Sequence, residues 1–87
     1  MSRSIIENVK LAARYFPGDA EAVNDVFIVE VRLRAEEAFG EGERPSEAFS
    51  SILGELPVSV AQRDENRILA LVMDEWNYFK LMGGRGM

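Results

Sequence analysis

The sequence predicts an all-α fold, a small bundle of about four helices, on three observations. Apolar residues recur at spacings of three and four near both ends of the chain. The longest readable stretch, 19–39 (DAEAVNDVFIVEVRLRAEEAF), carries helix punctuation at both of its ends. Glycine and proline gather between such stretches and not inside them.

The first element is expected over 3–15. Ile5, Ile6, Val9, Ala12, Ala13 and Phe16 share one face, with Arg3, Glu7, Lys10 and Arg14 opposite, and Ser2 or Ser4 as the cap. Glu7 can pair with Arg3, Lys10 and Arg14, each pair contributing only a few tenths of a kcal/mol. Glu7 lies amid these basic residues, so a solvated face is preferred to an anion-binding stripe.

Phe16-Pro17-Gly18-Asp19 forms a turn into the central stretch, which can be read two ways. As a helix it has Asp19 at the N-cap, Glu21 near the positive end of the dipole and Gly40 just past the last turn. As a strand, Phe27, Val29, Val31 and Leu33 alternate with Ile28, Glu30, Arg32 and Arg34, and the β-branched residues of 26–31 favour extension. That alternative is an α+β fold in which 26–33, 58–61 and 68–72 build a small sheet flanked by helices. The caps and the Ala/Glu-rich flanks decide for helix.

As a helix, 19–39 is apolar on two sides. Val23, Phe27, Ile28, Val31, Ala35 and Ala38 form one arc; Ala22, Val26, Val29 and Leu33 form the other. A helix with two apolar sides lies between neighbours, either both in its own chain or one in a partner. The second possibility makes Val26, Val29 and Leu33 candidate partner-binding residues.

The segment 40–45 is an acidic loop whose Pro45 suits the first turn of a short helix over 46–53. In that helix Ala48, Phe49, Ile52 and Leu53 point inward and Gly54 is the stop. Glu36, Glu37, Glu41, Glu43 and Glu47 crowd around this loop against Arg44. The alternating Asp/Asn pattern of a calcium loop is missing, and an exposed glycine-rich loop would not shift a carboxylate toward acid–base work. A solvated acidic surface is the expectation.

Beyond Glu55 the reading is mixed: Pro57 can start a helix or, with Val58 and Val60 alternating, restrict a short extended piece. A helix is expected to begin by Asp64 and to end near Leu81, since Ile68, Leu69, Val72, Met73, Trp76, Phe79 and Met82 recur at helical spacing. Trp76 and Phe79 fit its core arc, Tyr78 falls off it, and Tyr78 and Met82 join the candidate partner-binding residues. Gly83 to Gly86 ends the helix, and a frayed tail is expected over 83–87.

Composition narrows the function. One helical domain over 1–87 is all that 87 residues can build around a core. With no Cys and no His, the chain has no disulfide, thiol nucleophile or imidazole chemistry. No cofactor or metal motif is present, and none is expected to bind. A net charge of −5 disfavours direct nucleic-acid binding. The longest apolar run, 68–73, is too short to span a bilayer, and the N-terminus lacks a signal-peptide pattern, so a cytoplasmic protein is expected.

The expectation is therefore a non-enzymatic protein–protein interaction module. It would be an accessory, inhibitory, chaperone or regulatory protein that docks apolar helix faces on another protein or on a second copy of itself. The alternative is an acidic mimic of nucleic acid that inhibits a bacterial defence or nucleic-acid-handling complex.

Overall fold

A computed structural model describes residues 4–82. Ser2, Arg3 and the expected tail 83–87 lie outside them. Four helices and no strand occur among the described residues: α1 (Ile5–Tyr15), α2 (Ala20–Gly40), α3 (Pro45–Gly54) and α4 (Val58–Leu81). The segment 26–33 is helical throughout, which removes the small-sheet alternative.

Local chemistry sets each boundary. Ser4 and Glu7 form a capping box: the Glu7 N–H donates to Ser4 Oγ at 3.2 Å and the Ser4 N–H to Glu7 Oε1 at 2.9 Å. The Asp19 carboxylate accepts from the Ala22 N–H at 3.0 Å and starts α2. Gly18 and Gly42 take positive φ values of 79° and 80° in the turns before and after α2, a region that most other residues enter only with strain. Pro45 occupies the first turn of α3, where its missing N–H costs nothing.

The cavity at the start of α1 places Ser4 and Glu7 beside Arg34 and Glu37, so α1 runs antiparallel to α2. Glu55, just past α3, reaches back to Arg34, so α3 doubles back along α2. α4 then crosses α2 in the same sense: Arg67 meets Asn24 and Phe27, Glu75 meets Arg32, and Trp76 and Phe79 meet Phe39.

The core is one apolar cluster of Ile5, Phe27, Val31, Ala35, Ala38, Ala48, Ile52, Leu56, Ile68, Val72 and Trp76. The small Ala35, Ala38 and Ala48 let the backbones of α2 and α3 come close. Phe39 closes one end, its ring 5.4 Å from Trp76 edge-to-face and 4.7 Å from Phe79.

The choice left open after Glu55 falls to helix: Pro57 serves as the N-cap of α4, which begins at Val58, and 58–63 form its first turns. Two expectations need correction. Ala13 and Phe16 are exposed, because α1 ends where the chain turns away from the core. Leu69 and Met73 are exposed as well, since α2 and α3 cover a narrower arc of α4 than its apolar spacing suggests.

Candidate functional site

α2 is the helix on which the candidate site is built. Its first apolar arc turns inward: Phe27, Val31, Ala35 and Ala38 are buried, and Val23 and Ile28 half-buried. The second arc turns outward. Val29 is 52% exposed and Leu33 45%, while Val26 and Ala22 are half-buried. Val29 and Leu33 thus form a two-residue apolar step on the side of α2 away from the core.

Residues four apart on a helix are stacked with only about 40° of drift, so they form one ridge. From Val29 that ridge reads Val29, Leu33, Glu37, Glu41, and all four are exposed. It begins apolar and ends acidic.

The acidic end opens on a cavity of about 520 Å³ between the start of α1, the second half of α2 and α3. Glu7, Glu37, Glu41, Glu43 and Glu55 line it together with Arg34. Arg34 is committed to Glu55 through a two-point contact, Nε to Oε2 at 2.9 Å and Nη2 to Oε1 at 3.3 Å, with Glu37 4.0 Å away. The hydrogen bond that Arg34 donates to Glu55 is the chief reason that the Arg34 pKa is raised above its ordinary value. Glu43 is half-buried, and its carboxyl is pushed up first by that desolvation, then by Glu41 and by the charge of Glu47.

The structure divides the expected acidic surface. Glu37, Glu41 and Glu43 gather at the cavity, while Glu36 and Glu47 do not line it. Glu47 instead caps α3, its Oε1 accepting from the Arg44 N–H at 2.7 Å. The cation of the cluster is Arg34 and not Arg44, which lies outside the cavity wall. Glu7 and Glu55 are the members missed in the sequence. They lie far from the loop along the chain, and only the return of α1 and α3 along α2 brings them in. No group of described acidic residues is placed to hold a metal ion.

Tyr78 and Met82 are 55% and 58% exposed at the end of α4. They do not join Val29 and Leu33 in one patch. α4 meets α2 through Asn24, Phe27, Arg32 and Phe39, whereas Val29 and Leu33 project from another side of α2. The Tyr78 ring lies 5.9 Å from Phe79.

Among the described residues no helix is long and apolar enough to cross a membrane. No protein-family model, curated protein or solved structure matches the chain.

Proposed function

We propose that the protein is a non-enzymatic interaction module that docks the outer face of α2 on another protein. The exposed Val29 and Leu33, on a helix whose opposite face is already in the core, carry this reading. Apolar side chains in water on a rigid helix are suited to be anchors: covering them with a partner removes apolar surface from water at little cost in ordering. Val26, half-buried beside them, would extend the contact, and Tyr78 and Met82 would form a separate contact on α4.

The test is a comparison of the wild-type chain with the Val29→Asp, Leu33→Asp double variant in a pull-down from the native host, with light scattering beside it. Both proteins should keep the same helical circular dichroism spectrum. The double variant should lose the bound protein, or the self-association, that the wild type shows. Undiminished capture by a folded double variant would remove the docking role of α2.

A second reading rests on the carboxylates around the cavity. Glu7, Glu37, Glu41, Glu43 and Glu55 could occupy a basic channel as phosphates do, which is the action of a nucleic-acid mimic. Salt separates the two. A mimic should release its partner steeply between low and moderate salt, while apolar docking should change little.

A further inference from the structure

The ridge of α2 changes character along its length, and this asymmetry restricts the partner. Val29 and Leu33 are followed, one and two turns on, by Glu37 and Glu41. The last turn of α2 holds no basic residue, so Glu41 sits at the negative end of the helix dipole, while Glu37, one turn earlier, stands 4.0 Å from Arg34. Arg34, the cation lining the cavity, is taken by Glu55. Among the described residues no cation pairs with Glu41 or Glu43, and the two carboxyls lie against each other. The face is thus an apolar step that runs, past Glu37, into the carboxylates of Glu41 and Glu43, which have no cation partner among the described residues.

Resting on the docking reading, we infer that the partner presents a basic amphipathic helix. Its apolar residues, at i and i+4, cover Val29 and Leu33, and Lys or Arg of its neighbouring turn meets Glu37 and Glu41. A helix fits because the four ridge residues rise about 18 Å along α2 as one inclined i, i+4 ridge, the shape that a groove between side-chain rows of another helix accepts. A basic flank fits because it supplies a counter-charge to Glu41, beside which no described cation stands. A second copy of this chain fits less well, because each copy carries a net charge of −5.

Two synthetic peptides of about 18 residues test this, long enough for five helical turns. They share one amphipathic pattern of leucines and differ only in the flanks, lysine in one and glutamate in the other. The full chain, labelled with nitrogen-15, is titrated with each by NMR. The Leu/Lys peptide should bind and shift the amides around Val29, Leu33, Glu37 and Glu41. Leu33→Asp should weaken it about tenfold or more, as should Glu37→Lys with Glu41→Lys, because each removes one half of the recognition. Glu65→Lys, an exposed charge on α4 away from the ridge, should change affinity less than about twofold, since a remote surface charge is screened.

A loss of affinity at Glu65→Lys half as large, on a logarithmic scale, as that at Glu37→Lys with Glu41→Lys would mean attraction by net charge alone, since one charge is reversed and not two, and would overturn the inference. So would binding of the Leu/Lys peptide that ignores Leu33→Asp. If the Leu/Glu peptide bound at Val29 and Leu33 as tightly as its basic twin, the docking face would stand and the basic partner would fall. If neither peptide shifted the ridge, while sedimentation showed a dimer broken by Leu33→Asp, the occupant would be a second copy and the inference would be wrong.

Discussion

The two sides of α2 treat charge in opposite ways. Along the seam with α4, cations have partners. Arg67 lies over the Phe27 ring at 5.0 Å, donates to Asn24, and stands 4.0 Å from the buried Asp64, which Arg63 also holds at 3.0 Å. Arg32 meets Glu75 at 3.8 Å. Across α1, α2 and α3, five carboxylates share a cavity with Arg34. The seam with α4 pairs its cations, whereas Glu41 and Glu43, near the exposed apolar step, have no cation partner among the described residues. The proposed face is distinguished by that difference, since exposed apolar residues alone are common on small proteins.

If the seam is the structural side, its loss should cost most. Trp76 is buried and touches Phe39 and Phe79 edge-on. Trp76→Ala should destabilise by about 3–5 kcal/mol, most of the stability of a small domain, measured by urea unfolding followed by far-ultraviolet circular dichroism. A cost below about 1 kcal/mol would show that the aromatic end of the seam collapses freely into the space, contrary to the tight packing described above.

A smaller effect is expected from the polar part of the same seam. Arg67→Met keeps an apolar stem over Phe27 but removes the cation–π contact, the bond to Asn24 and one counter-charge of Asp64. The side chain of Arg67 is 38% exposed, which holds the expected loss to about 1–2 kcal/mol. The same unfolding experiment measures it. No loss would mean that Arg63 alone satisfies Asp64.

How far the sequence shows this difference depends on the range of the interactions. The start of α2 at Asp19 and the proline at the start of α3 are written in a few adjacent residues, and the structure has both. So are the two arcs of α2, because side-chain direction around a helix follows from spacing alone. The first turns of α4 are obscured, since Pro57, Val58 and Val60 satisfy an extended reading as well as a helical one, and only packing on α3 decides. Leu69 and Met73 mislead for a related reason: spacing gives the apolar arc of α4 but not how much of it two neighbours can cover. At the cavity, Glu37, Glu41 and Glu43 are neighbours in sequence and stand out, whereas Glu7 and Glu55 arrive by the crossing of helices and carry no local mark.

The smallest expected effect concerns the acidic side, and its sign is opposite. Glu41 caps the C-terminal end of α2, where a negative charge meets the negative end of the dipole and the carboxyl of Glu43. Glu41→Lys should therefore stabilise the free chain by about 0.3–1 kcal/mol, or roughly 2–5 °C in Tm, read from thermal melts. The gain should depend on pH. Glu43 has its pKa raised by partial burial and then by Glu41, so its contribution to stability is fully present below the ordinary carboxylate value of 4.5 and is lost as pH rises through the raised one. In the wild type that loss follows the ionisation of Glu43, and lysine at 41 removes the part of it due to Glu41. The difference in Tm between variant and wild type should thus be greatest near pH 7 and shrink as pH falls toward 4. An unchanged or lower Tm at pH 7 would show that the carboxylates of this end are already compensated within the chain, and the contrast between the two sides of α2 would then be lost.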